Sequence, residues 1–162
     1  VHLGIDARTL EIRGIEVIDN SVGDEPMLLA QIPPGEKVAS VSADGAYDTK
    51  PWHEAIAHRG AQAIIPPRKN AQVWKSQTPG AMVRNEAVLA CERLGWRIWK
   101  TWSGYHRRSL VETKMHCFKR LGERVMARTF ERQVVELHVR VALLNRFTQL
   151  GRPATVAVPA MA

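Results

Sequence analysis

Residues 105–119 read YHRRSLVETKMHCFK, with Tyr105, Arg108, Glu112 and Lys119 separated by steps of three, four and seven. Residues spaced this way share one face of a helix. One stripe therefore carries a phenol, a guanidinium, a carboxylate and an ammonium, where a core-facing stripe would be apolar. Asp44 offers a second carboxylate. It ends the apolar run VASVSAD and enters the turn GAYD. In open α/β sheets, groups at the carboxyl ends of strands face the functional crevice. Two carboxylates about 4 Å apart repel by about 1 kcal/mol in water and about 4 kcal/mol at an effective dielectric near 20. A partly buried pair therefore takes a cation. Oxygen-only donors suit Mg²⁺ or Mn²⁺, and the arginines and lysines around them suit a polyanion. The chemistry these residues could do is metal-assisted attack at a phosphodiester. Taken singly, Asp44 also reads as a turn cap, and Glu112 as the partner of Arg108 in an i,i+4 ion pair.

The elements that must position these groups follow from local patterning. VHLGID (1–6) and IEVIDN (15–20) read as strands joined by a turn around Ala7 to Arg13. MLLAQI (27–32) starts a helix, with Asp24 as N-cap and Pro26 in the first turn. VASVSAD (38–44) and AQAIIPPR (61–68) read as short strands, the second stopped by Pro66 and Pro67. Between them, Thr49 caps a helix through PWHEAIAHRG. This strand–helix–strand order predicts an α/β sheet with parallel pairing. KNAQVWKSQTPGA (69–81) reads as a loop and RNEAVLACERLG (84–95) as a helix. From Tyr105 the chain is mostly helical. Phe130, Val134, Leu137, Val141 and Leu144 form an amphipathic seam, read as core packing with a dimer contact as the alternative.

The 162 residues fit one domain or most of one. Net charge is +7 and unevenly placed: −5 over residues 1–50, +5 over 51–104 and +7 over 105–152. The basic portion holds the opening stripe, and such a surface concentrates polyanions with a salt-dependent affinity. No apolar run approaches the roughly 18–20 residues that span a membrane. The start VHLGIDARTLE lacks the pattern of a signal peptide. Cys91 and Cys117 form no CxxC pair, so neither a disulfide framework nor a zinc site is expected, and a reducing cytoplasm fits.

Other residues carry weaker signals. Trp96, Trp99 and Trp102 could stack on bases or pack one buried face, and packing is the expectation. His106 and His116 flank Glu112 without a Cys/His metal pattern. Arg68 and Lys69 follow IIPP and either touch a polyanion or keep a loop solvated. Asp24 reads as a cap and Asp48 as a turn residue near the site. No P-loop, nucleophile elbow or Ser/His/Asp arrangement is present.

The spacing Tyr-x2-Arg-x3-Glu-x6-Lys at 105–119 resembles the signature of the DDE-type transposases of bacterial insertion sequences. VHLGID, ADGAYD, IPPRKNA, RNEAV, GYHRRSLVETKMHCFK and LGRP are similar to one group of these enzymes, so the resemblance runs from Val1 to about Pro153. It implies an α/β, RNase H-like fold, a mixed sheet flanked by helices. Asp44 matches the second catalytic aspartate and Glu112 the catalytic glutamate, both ligands of Mg²⁺ or Mn²⁺. Tyr105, Arg108 and Lys119 match positions associated with phosphates of transposon-end DNA. Cleavage would free 3′-hydroxyls that then attack target DNA.

The family's first aspartate lies on the central strand of the sheet, in an Asp-Ser-Thr-like segment that precedes the VHLGID region. No DST or DGT occurs here. Asp6, at the end of a strand, is the alternative. The expectation is a partial catalytic domain over 1–153 with a disordered tail at 154–162, a split sheet with unpaired edges, and reduced or no activity. A non-catalytic DNA-binding or transposase-pairing module, acting as an inhibitor, is the alternative function.

Overall fold

The computed structural model describes residues 1–17, 29 and 31–151. The chain opens with a hairpin of β1 (His2–Ile5) and β2 (Ile12–Glu16), antiparallel with Leu3 opposite Ile15 and Gly4 opposite Gly14. The turn is tighter than the expected Ala7–Arg13. Asp6 builds it: its carboxylate accepts the Arg8 and Thr9 amides at 2.7 and 3.0 Å, and its carbonyl accepts from Leu10 at 2.8 Å. Leu10 adopts a left-handed φ of 62° to close it. The second strand consequently begins at Ile12 rather than Ile15. Residues 18–20, which were expected to complete it, lie outside the described residues, as do Asp24, Pro26 and most of MLLAQI.

β3 (Ser40–Ser42) and β4 (Gln62–Ile64) pair in parallel, with Val41 opposite Ala63. Parallel strands need a crossover, supplied by α1 (Lys50–His58) with Pro51 in its first turn. Thr49 caps it through its carbonyl, which accepts from His53 at 3.1 Å, and not through its hydroxyl. Next, α2 (Pro79–Leu94) begins five residues before the expected Arg84, because Pro79 suits the first helical position. Gly80 lets it lie against α1: a Cβ there would stand 2.6 Å from the His53 carbonyl carbon. Gly95, at φ 83°, ends α2 and starts α3 (Trp96–Trp102).

The segment from Tyr105 is not one continuous α-helix. Tyr105–Arg108 is a 3₁₀ turn that leads into α4 (Ser109–Arg120). At three residues per turn, Tyr105 and Arg108 lie one above the other, and Glu112 follows one α-turn later. The last helix, α5 (Phe130–Leu150), buries Leu137 and Leu144, with Val141 packed against the same core; Phe130, expected in that seam, is exposed. Residues 152–162, including the tail, lie outside the described residues.

Two cores result. Leu3, Ile12 and Ile15 of the hairpin pack on Phe118, Leu137 and Leu144. Leu29, Trp52, Ile56, Ala61 and Ile65 form the second. Among the described residues each sheet has only two strands, β1–β2 and β3–β4. The outer edge of β2 is closed by side-chain amides. Asn145 exchanges hydrogen bonds with the Ile12 main chain at 2.7 and 2.9 Å, and Gln31 does so with Ile15 at 2.9 Å each. β1 and β3, by contrast, both line a groove of about 1010 Å³ between the two halves. No helix among the described residues is long and apolar enough to cross a membrane.

Candidate active site

Asp44 follows β3 and caps the short 3₁₀ turn Gly45–Tyr47, its Oδ1 accepting the Ala46 amide at 2.9 Å. Its Oδ2 accepts from Arg108 Nη2 at 2.9 Å. Glu112, in the first turn of α4, accepts from Arg108 Nη1 at 2.5 Å. One guanidinium thus joins two carboxylates 68 positions apart in the chain. The Arg108, Asp44 and Glu112 side chains are 26%, 39% and 60% exposed. All three border the groove between β1 and β3, as do His116 and Lys119, the latter seven residues beyond Glu112 on α4.

Tyr105 is half-buried beside the tryptophans of α3. Its ring centroid lies 5.5 Å from that of Trp96 and 5.7 Å from that of Trp99. Burial pushes its phenol pKa up, and the negative charges of Asp44 and Glu112 add to this against the opposing Arg108. For Arg108 itself, burial disfavours the charge, but the Tyr105 oxygen and the two carboxylates outweigh it and raise its pKa. The tryptophans divide. Trp99 is core at 2% exposed, whereas Trp102 stands 74% exposed. Packing therefore describes Trp99 and not the whole triplet.

Behind the turn lies a buried network that the sequence reading did not assemble. Asp48, its side chain 1% exposed, accepts from Arg84 Nε at 3.1 Å, Arg84 Nη2 and His53 Nε2 at 3.2 Å each, and the Arg68 amide at 3.0 Å. Burial pushes its carboxyl up, but the hydrogen bonds from His53, Arg84 and the Arg68 amide prevail and hold it well below the usual carboxylate range. Arg84 also lies over the Trp74 ring, 4.4 Å from its centroid. The Arg68 side chain, itself exposed, folds back over the turn: Nε donates to the Gly45 carbonyl at 3.2 Å and Nη2 to that of Ala46 at 2.8 Å. Arg68 thus clamps the turn that carries Asp44. Arg84 was detectable in principle, since Ala81, Arg84 and Val88 stand at helical spacing and all are buried. A cation inside an apolar stripe calls for a buried anion.

Among the described residues no group of three or more His, Cys, Asp or Glu side chains could hold a metal. Asp44 and Glu112 do converge on a single cationic group, and oxygen donors of this kind fit a hard divalent ion. Asp6, the alternative third ligand, borders the groove but spends its carboxylate on its own turn. The Thr9 and Arg8 amides hold its pKa below the usual value.

No solved structure matches this chain. Residues 1–146 match the family model described as Transposase DDE domain, and with nearly the whole described chain inside that match, the protein belongs to the DDE transposase family.

Proposed function

We propose that this chain forms part of the catalytic centre of an insertion-sequence transposase. In this reading Asp44 and Glu112 hold a divalent ion, Mg²⁺ or Mn²⁺, while Tyr105, Arg108 and Lys119 position backbone phosphates of transposon-end and target DNA. The observation that carries it is the convergence of Asp44 and Glu112, from the two halves of the fold, on one cation beside a groove with a basic rim. The chain's own contribution is placement. The Arg68 clamp fixes the turn of Asp44, the 3₁₀ turn sets Arg108 above Glu112, and Lys119 adds an exposed charge two helical turns further on.

The fold proposed is the RNase H-like one, in a cytoplasmic protein. The groove between β1 and β3 is where a further strand, carrying a third carboxylate, would join the two small sheets into one. The net charge of +7 over residues 105–152 favours a second reading: a DNA-binding or transposase-pairing module that inhibits transposition, as a homodimer or with full-length transposase. A nicking assay on supercoiled DNA with Mg²⁺, run beside Glu112→Ala, separates the two. Nicking that disappears in the variant supports the enzyme. Salt-dependent DNA binding by the folded chain, without nicking, supports the module.

A further inference from the structure

We infer that Arg108 is a built-in counter-cation of Asp44 and Glu112, competes with divalent metal for them, and is released toward DNA phosphate when metal binds. The inference rests on the metal reading of those two carboxylates and adds a regulatory step to it.

The geometry carries the argument. Of the two Asp44 oxygens, Oδ1 is held by the Ala46 amide of its own turn, at 2.9 Å. Oδ2 is the one turned away from the backbone, and Arg108 Nη2 holds it at 2.9 Å. Arg108 Nη1 holds Glu112 at 2.5 Å. The guanidinium does not grip either acid with its two-pronged fork, the usual strong arrangement. It spends one terminal nitrogen on each and so stands between them, where a shared cation would stand. Two cations cannot share such close quarters without strong repulsion, so a divalent ion on these oxygens must displace the guanidinium.

The pair is also displaceable. All three side chains are at least a quarter exposed, and ion pairs with that access to water contribute little net stability. A released Arg108 already borders the groove that Lys119 borders. Metal binding would then raise affinity for a polyanion through one side-chain rotation, and by linkage DNA would raise affinity for metal to the same degree.

The test is Mn²⁺ binding to the DNA-free protein, followed by electron paramagnetic resonance of the free ion. The proteins compared are the unmodified chain, Arg108→Gln, Arg108→Lys, Lys119→Gln and Asp44→Asn. Arg108→Gln should bind Mn²⁺ about fivefold more tightly, equivalent to about 1 kcal/mol. Arg108→Lys, whose single ammonium cannot join both acids as the guanidinium does, should fall between. Lys119→Gln removes the same charge from the same groove without touching either acid and should change affinity less than twofold by the ordinary weakness of exposed charges. If Arg108→Gln merely equals Lys119→Gln, or binds more weakly than the unmodified chain, the latch is wrong while the metal site stands. If no protein in the series binds Mn²⁺ more tightly than Asp44→Asn does, both the latch and the metal reading fall.

Discussion

Replacing Asp48 by asparagine removes one charge and almost no volume, which makes it a sharp probe of the network behind the site. Both carboxylate oxygens are in use. Oδ1 accepts from His53 and Arg84 Nε, and Oδ2 from Arg84 Nη2 and the Arg68 amide. An asparagine in either orientation turns its NH₂ group toward two donors. Arg84, only 4% exposed, would keep its charge with no counter-charge beside it. Removing one partner of a buried ion pair costs about 3–5 kcal/mol. At about 2–4 °C per kcal/mol for a chain of this size, the melting temperature should drop by roughly 6–20 °C. Circular dichroism melts and urea titrations would measure this, with the urea midpoint falling at an unchanged slope. Adding Arg84→Met should recover part of the loss, since replacing both partners by apolar groups costs less than stranding one. An Asp48→Asn protein within about 1 kcal/mol of the unmodified chain would refute the reasoning, because a buried pair of this kind cannot be severed so cheaply.

The same carboxylate sets an acid limit. Its folded pKa lies below the unfolded value of about 3.9, so its contribution is complete above about pH 5 and is lost as pH falls toward the folded value. Stability measured from pH 6 to pH 3 should fall, and Asp48→Asn should flatten that fall. Gly80→Ala should destabilise by about 1–3 kcal/mol or more, because its Cβ would meet the His53 carbonyl carbon at 2.6 Å and the Glu54 nitrogen at 2.7 Å, both backbone. A chemical-denaturation midpoint equal to that of the parent would contradict the close helix contact. For DNA binding, Lys119→Ala should weaken affinity evenly across sequences and reduce the slope of log K against log salt by about 1. A slope that does not move would remove Lys119 from the phosphate contacts.

How far the sequence revealed this arrangement depends on how local each cause is. The parallel β3–α1–β4 unit was readable because Pro51, Gly60 and the prolines at 66 and 67 punctuate a short stretch. The side-chain set at Tyr105, Arg108 and Glu112 was readable from its spacing. Its backbone was not, since a step of three fits a 3₁₀ turn as well as an α-helix. The start of the second strand was missed because Asp6 closes its turn with its own side chain and leaves Leu10 in a left-handed conformation, a choice that hydrophobic alternation does not encode. Taken singly, Arg68 reads as a polyanion contact or a solvated loop residue, and Asp48 as a turn residue. Their roles depend on contacts spanning 20 to 36 residues, which no local pattern records. The tryptophan triplet was ambiguous for another reason. A spacing of three drifts round a helix, so Trp99 is buried while Trp102 faces water.

The two cores differ in when they can form. The one around Trp52 and Ile56 draws on residues 29–65 and can close while the chain is still being made. The other joins residues 3–15 to residues 118–144, and the Asn145 clasp on Ile12 spans 133 positions. At about 5–20 residues per second of synthesis, the hairpin waits roughly 7–27 s for its helices. During that interval its apolar face is open to chaperones or to unwanted partners. Contacts of such separation also slow closure after release. Asp44 belongs to the early half and Glu112 to the late one, so the meeting of the two carboxylates across Arg108 is among the last events of folding, and a stalled or clipped nascent chain would carry Asp44 without its counterpart.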